Sequence, residues 1–180
     1  RGVDITRFIL TLHQPEARLL ALTGGKAAAL SRMLGAGLPV PDGFVVTTEA
    51  FSGVGFSVPS QLSRELDNMR ADDREQIAKV SEKMRQIILR SGINEELVNE
   101  INAAYEKLGD RISVSVRSSA VAEDLPSASF AGQYGTYLNV SGIKDILACI
   151  LEVWASLYSP QAIFYRLGLD LPSDAINMAV

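Results

Sequence analysis

Two short stretches of this sequence place cationic side chains beside glycine, serine and threonine, residue types that commonly bind phosphate groups. Residues 23–26 (TGGK) lead into a run of small and apolar residues, and Arg117 is followed by Ser118 and Ser119. A glycine-rich helix entry exposes backbone N–H groups, and its partial positive charge favours an anion. An arginine guanidinium can bind two phosphate oxygens at once. Both stretches therefore suggest an anionic, phosphate-bearing ligand.

The first stretch must be positioned by a helix. Apolar residues recur at helical spacing and predict a helix over residues 25–35. These residues are Leu30, Met33 and Leu34. Lys26 then lies in the first turn, although the stretch is not a P-loop, because no glycine precedes it at the required spacing. Taken alone, residues 24–26 fit a flexible helix entry with an exposed lysine as well as they fit a phosphate site.

The second stretch lies at the end of a predicted strand. Apolar and polar residues alternate over 112–117, as in a half-buried strand, and a long loop of small residues leads to a second strand over 136–140. Long loops inside compact domains are usually functional or disordered, and the aromatic residues of this loop favour function. Gly132 would let the backbone approach a phosphate closely, and Thr136 could donate from its hydroxyl.

The polar residues of this loop leave alternatives open. Arg117 can bind phosphate, or it can pair with Glu123 or Asp124 and hold the loop closed, and the two states can alternate. Ser118 and Ser119 can bond a phosphate, or they can cap the loop.

The remaining elements predict an α+β fold. Further strands are expected near 43–47 and 176–180, and further helices near 73–90, 95–108, 142–157 and 160–167. Asn94 is a good N-cap for one helix, and Ser159 followed by Pro160 begins another. Trp154 lies at helical spacing among apolar residues and is expected in the core rather than against a nucleobase.

Composition narrows the function classes. The chain has 180 residues, of which 47% are hydrophobic, and a formal net charge of −4. A nucleic-acid partner is not expected, because no basic stripe exists to neutralise phosphates. No apolar run is expected to span a membrane. One cysteine, Cys149, excludes an internal disulfide and agrees with a cytoplasmic location.

Two further features bear on the extent and the chemistry of the chain. His13, the one histidine, is expected in a surface loop beside Gln14 and Pro15. A first residue of Arg1 rather than methionine suggests a portion of a longer protein.

Two long motifs carry a resemblance to a known family. Residues 117–120 (RSSA), 122–126 (AEDLP) and 128–133 (ASFAGQ) resemble the signature of the N-terminal nucleotide-binding domain of phosphoenolpyruvate synthase. Pyruvate phosphate dikinase and rifampin phosphotransferase share that signature. The upstream motifs are similar to the same domain, in the same order. They are residues 24–30 (GGKAAAL), 37–41 (GLPVP) and 43–51 (GFVVTTEAF).

The resemblance implies a fold and a site. Residues 1–180 would form one domain, the first lobe of an ATP-grasp fold, with a small mixed sheet flanked by helices and without the second lobe. Lys26, Arg117, Gly132 and Thr136 match ATP-contacting positions of the family. The cofactors implied are ATP and Mg²⁺, with the metal carboxylates in the second lobe, so neither Glu123 nor Asp124 is expected to bind the metal.

The resemblance also implies an activity for a full-length protein. ATP would be cleaved to AMP and phosphate while a histidine of a separate phosphohistidine domain carries the phosphoryl group to pyruvate. Two alternatives remain, an antibiotic phosphotransferase and a non-catalytic nucleotide-binding module. The partners implied are ATP, the second lobe and the phosphohistidine domain. The lobe alone would be inactive, and no catalytic residue is assigned to it.

Overall fold

A computed structural model describes residues 8–53, 60–120, 124–125, 128–129, 135–168 and 177–180. Helices alternate with short strands along this part of the chain. The helices are α1 (Leu20–Gly35), α2 (Thr48–Gly53), α3 (Ser60–Asp67), α4 (Arg74–Ser91), α5 (Glu95–Leu108), α6 (Ile143–Ser156) and α7 (Pro160–Gly168). The strands are β1 (Ile9–Thr11), β2 (Phe44–Val46), β3 (Val114–Arg117), β4 (Ser119–Ala120), β5 (Asp124–Leu125), β6 (Ala128–Ser129), β7 (Thr136–Val140) and β8 (Met178–Ala179). A 3-10 turn, Pro15–Arg18, precedes α1.

The strands pair in antiparallel fashion wherever the structure describes their register. β1 pairs with β2, β4 with β8, β3 with β7, and β5 with β6. Val46 and Val180 exchange two backbone hydrogen bonds of 2.8 and 2.9 Å, which join the β1–β2 pair to the β4–β8 pair. One residue, Ser118, separates β3 from β4 along the chain, so the β3–β7 pair directly precedes the β4–β8 pair in sequence.

The side chains of β2 and β8 alternate between two apolar clusters, as the pleat of a strand requires. Val45 and Ala179 pack with Leu12 and Ala27 on the side of α1. Their neighbours enter the larger core formed by α4–α7. These neighbours are Phe44, Val46, Met178 and Val180. The sheet therefore separates α1 from the larger helical layer, which agrees with the α+β prediction.

Local capping chemistry explains where several helices begin. The Asn94 side chain accepts a 2.9 Å hydrogen bond from the Leu97 N–H, and the Ser159 hydroxyl accepts one of 3.2 Å from the Ala162 N–H. These two caps confirm the predicted starts of α5 and α7. Asp73 caps α4 in the same way, at 3.0 Å from the Gln76 nitrogen, and its role was not anticipated.

The prediction for α1 was correct in part. The predicted helix over 25–35 exists, but the helical stretch begins earlier, at Leu20, and Gly24 interrupts it with φ 70° and ψ 177°. The helical segment that follows the break is residues 25–35. The glycine pair concealed the first turn, because glycine disfavours a helix interior.

By length and composition alone, the apolar segment Ile143–Gly168 is sufficient to cross a membrane, which was not expected from the sequence. It comprises α6 and α7, and 56% of its most apolar window is buried inside the protein. Trp154, at its centre, is fully buried and packs against Phe51 with ring centroids 5.7 Å apart. The predicted core position of Trp154 is confirmed, and the apolar composition of this segment is that of a core helix.

Candidate functional site

The site begins at the break in α1. Gly24 adopts φ 70°, a left-handed conformation that residues with a side chain rarely adopt. A Cβ atom at Gly24 would lie 2.1 Å from the carbonyl oxygen of Ser119. Two independent features therefore require glycine at position 24: the positive backbone angle φ and the close approach of β4. The helix restarts at Gly25 after the break. The first N–H groups of this second helical segment therefore lack a carbonyl acceptor within the segment.

Two consecutive residues after the break, Lys26 and Ala27, contact Ser118 and Ser119, where β4 begins. The Lys26 ammonium donates to the Ser118 carbonyl oxygen at 3.2 Å and lies 3.5 Å from the Ser118 Oγ. The Ala27 N–H donates to the Ser119 Oγ at 3.1 Å. Ser118 and Ser119 are almost fully buried. The two sequence motifs, 92 residues apart, are thus joined directly.

Arg117 and Thr136 lie opposite each other in the ladder between β3 and β7. Side chains of directly opposed residues project from the same face of a sheet, and both residues are exposed. Their neighbours in the ladder, Val116 and Tyr137, contribute to the core instead. The cationic and hydroxyl groups are therefore presented together, and Arg117 directly precedes Ser118, which Lys26 contacts.

This geometry suits a polyanionic ligand. Lys26 and Arg117 bring two positive charges to neighbouring backbone positions, because Lys26 touches Ser118 and Ser118 follows Arg117. Charge-assisted hydrogen bonds from such groups to phosphate oxygens are short and roughly twice as strong as neutral ones. Thr136 adds a neutral donor on the same face.

Some predicted site residues lie outside the description. Gly132 and Glu123 are outside the described residues, and so is the side chain of Asp124, so the alternative ion pairs of Arg117 are untested. Between them the backbone forms a short antiparallel pair, with Asp124 opposite Ser129 and Leu125 opposite Ala128.

A groove of about 520 Å³ separates β2 from β3, and Arg117 lies among its lining residues. Most of the remaining lining is apolar and comes from β2, β3, α6 and Val180. The mostly apolar groove therefore adjoins the face formed by Arg117 and Thr136, and Arg117 belongs to both.

Other polar residues do not add to the site. Within the described ranges no three histidine, cysteine, aspartate or glutamate residues lie close enough together to hold a metal ion. His13 is exposed, and its Nε2 lies 3.5 Å from the Asp42 Oδ1, which confirms the predicted surface position.

Sequence reasoning missed the structural role of Ser119. The hydroxyl accepts a backbone N–H of α1 rather than facing outward. A signal was present, because a glycine at a helix start offers no capping side chain, so the first N–H groups need an acceptor from solvent or from another element.

Comparison with known proteins agrees with the geometry. Residues 20–180 match the family described as "Pyruvate phosphate dikinase, AMP/ATP-binding domain". A phosphoenolpyruvate synthase of Aeropyrum pernix is 40% identical over 97% of this chain and 22% of its own length. Rifampicin phosphotransferases of Streptomyces sviceus and Bacillus subtilis are 41% and 39% identical, over 97% and 98% of this chain and 20% and 21% of their own lengths.

The chain spans about a fifth of the length of these relatives. The family match covers both motifs that meet at the Lys26–Ser118 contact. The chain therefore belongs to the AMP/ATP-binding domain family of pyruvate phosphate dikinase and phosphoenolpyruvate synthase-like proteins.

Proposed function

We propose that this chain is the first lobe of an ATP-grasp domain in a phosphoenolpyruvate synthase-like dikinase. In the full-length protein, ATP bound here would lose a phosphoryl group to a histidine of a separate domain, which would pass it to pyruvate. The family match supports nucleotide binding. The observation that supports the proposal most is the 3.2 Å contact between Lys26 and Ser118, since the two sequence motifs with candidate phosphate ligands touch there.

Each site residue has a role in this proposal. Arg117 binds phosphate oxygens in a bidentate way, Lys26 contributes a point charge, and Thr136 donates a hydrogen bond. Gly132 allows close approach of the loop backbone. Phosphoryl transfer depends mainly on such positioning and on charge neutralisation.

Magnesium would neutralise further charge on the phosphates when bound. The described residues provide no cluster of carboxylates to hold it. The resemblance to the family, in which the second lobe carries the metal carboxylates, leads us to assign its ligands to that lobe, and we expect residues 1–180 alone to be inactive in phosphoryl transfer.

The nucleotide site can be tested by isothermal titration of the full-length protein with ATP. Lys26→Met and Arg117→Ala should each weaken binding by about ten- to a hundredfold, because a hydrogen bond to a charged group contributes about 1.5–3 kcal/mol. Lys83→Met is a matched control, because Lys83 is an exposed lysine on α4 and should leave affinity unchanged. Equal affinity in all four proteins would exclude the site.

The acceptor can be an antibiotic instead of pyruvate. Relatives called phosphoenolpyruvate synthase and rifampicin phosphotransferase are 40% and 41% identical to this chain, so identity favours neither. The full-length protein should release AMP and phosphate from ATP with pyruvate as acceptor. Release with rifampicin and not with pyruvate would select the antibiotic enzyme, and release with neither would favour a non-catalytic module.

The cellular setting is proposed on the same basis. A cytoplasmic location agrees with a single cysteine in the sequence and with a nucleotide as ligand. Cell fractionation of the source organism, followed by immunoblotting, would test it.

A further inference from the structure

The break in α1 leaves a capping position without a capping side chain. Gly24 immediately precedes the restarted helix, so it occupies the N-cap position, and Lys26 and Ala27 are the second and third residues of the helix. An N-cap side chain normally accepts a hydrogen bond from the N–H of one of these two residues. Gly24 has no such side chain, and its φ of 70° and the nearby Ser119 carbonyl exclude one.

Ser119 supplies the missing group from another element. Its Oγ accepts the Ala27 N–H at 3.1 Å, which is the bond that an N-cap serine would make within its own helix. Ser119 is 3% exposed, so solvent does not readily replace this acceptor. Ser119 therefore has two effects: its carbonyl oxygen excludes a side chain at Gly24, and its hydroxyl supplies the capping acceptor that Gly24 lacks.

The hydrogen bond that caps the helix and the contact made by Lys26 involve neighbouring residues, both in α1 and in the segment that leads into β4. Ala27 bonds Ser119 while Lys26 bonds Ser118. Fixing the Ala27 nitrogen to β4 also fixes the Lys26 backbone, one residue away. The reach and direction of the Lys26 side chain toward the Arg117–Ser118 segment then depend on this capping bond.

We propose that Ser119 is a positioning residue. Its hydroxyl, from β4 of the same chain, caps the helix that restarts at Gly25 and thereby fixes the position of Lys26 in the phosphate site. The predicted effect on ATP binding rests on the proposed function, whereas the capping of the helix is independent of it. The sequence left two roles open for Ser119, phosphate binding and capping of the loop, and the capping of α1 is a third role that it did not suggest.

The test uses the full-length protein with Ser119→Ala and a matched control, Ser81→Ala. Ser81 is also a buried serine, and it lies on α4, away from the site. Its hydroxyl donates to the Tyr158 carbonyl oxygen at 2.6 Å. Both variants should lower the melting temperature. Hydrogen exchange by mass spectrometry, without ATP, should speed up in peptides covering residues 25–28 only in Ser119→Ala.

Isothermal titration with ATP should then show a loss of affinity for Ser119→Ala of about twofold to at most about thirtyfold, the factor that corresponds to the full contribution of one cap, and no change for Ser81→Ala. Ser119→Thr, which keeps an oxygen acceptor, should restore slow exchange and affinity. Unchanged exchange in Ser119→Ala would overturn the capping role, and faster exchange with unchanged affinity would overturn the positioning role. If the unaltered protein binds no ATP, the proposed function fails, and the exchange comparison still decides the capping role.

Discussion

A Cβ atom on Gly24 would lie 2.1 Å from the carbonyl oxygen of Ser119. No heavy atoms approach that closely without a bond between them, so either β4 or the helix would have to move. Gly24→Ala should therefore lower the free energy of unfolding by more than the roughly 1–3 kcal/mol expected from left-handed backbone strain alone. Urea denaturation followed by circular dichroism measures this difference.

Gly37→Ala is the matched control for Gly24→Ala. Gly37 has φ 78°, close to that of Gly24, but nothing lies within 4 Å of its added Cβ. This variant should show the cost of a side chain at positive φ without a close contact. Equal losses in the two variants would mean that the contact between Gly24 and Ser119 contributes nothing.

A second prediction concerns Tyr105, whose hydroxyl joins three elements. It donates to the Ile112 carbonyl oxygen at 2.6 Å and accepts the Gly142 N–H at 3.1 Å. Tyr105→Phe removes both bonds and leaves two backbone groups without these partners. The free energy of unfolding should fall by about 1–3 kcal/mol, since two hydrogen bonds are lost and each typically contributes about 0.5–1.5 kcal/mol.

The comparison for Tyr105→Phe is an exposed contact of equally short length. Lys79 and Glu75 form a 2.6 Å ion pair on α4 with both side chains largely exposed. Glu75→Ala should change the free energy of unfolding by no more than about 0.5 kcal/mol, because solvent screens the pair. A Tyr105→Phe loss no larger than that of Glu75→Ala would contradict the bridging role.

The predictable parts of this fold are those governed by local chemistry. The predicted helix over 95–108 coincides with α5, since Asn94 caps it and its apolar residues recur at helical spacing. The predicted strand over 136–140 coincides with β7. The predicted strand over 176–180 is observed at Met178–Ala179, and residue 176 lies outside the described residues.

The unpredicted parts depend on contacts between distant residues. β4 has two residues, too few to display a period of two, and it exists because β8 pairs with it. Of the proposed site, Lys26 and Arg117 were identified from residue type and family resemblance. Their meeting through Ser118 was not, because 92 residues separate the bonded partners.

A third prediction concerns alkaline pH. Burial raises the pKa of the Tyr158 phenol above its ordinary value of 10.0, and the Arg166 guanidinium partly offsets the rise. The unfolded chain therefore loses this proton first as the pH rises. The stability contributed by neutral Tyr158 is complete below about pH 10 and is lost as the pH rises toward the folded-state pKa.

Tyr158→Phe keeps the ring beneath Arg166, whose guanidinium carbon lies 5.2 Å from the ring centroid, but removes the titrating group. Its free energy of unfolding should fall less steeply than that of the unaltered protein between about pH 9.5 and 11. Urea denaturation at several pH values measures both slopes. Identical slopes would show that ionisation of Tyr158 does not limit alkaline stability.

The last prediction separates the binding role of Arg117 from a structural one. Arg117 is exposed, so Arg117→Lys should change the free energy of unfolding by no more than about 0.5 kcal/mol. ATP binding should weaken, because lysine cannot form the bidentate contact. Arg90→Lys, at an exposed arginine of α4, is the control and should change neither quantity.

An NMR titration of the 180-residue chain with ATP and, separately, with adenosine locates the contact. We expect weak binding that decreases as salt is added, since the phosphate contacts lie in solvent without a second lobe. Resonances of Lys26, Arg117 and the segment 132–136 should shift with ATP and not with adenosine, because the described contacts are all cationic or hydroxyl groups. Equal shifts with both ligands would place adenine rather than phosphate at this site, and a large loss of stability in Arg117→Lys would make the arginine chiefly a structural partner of the loop.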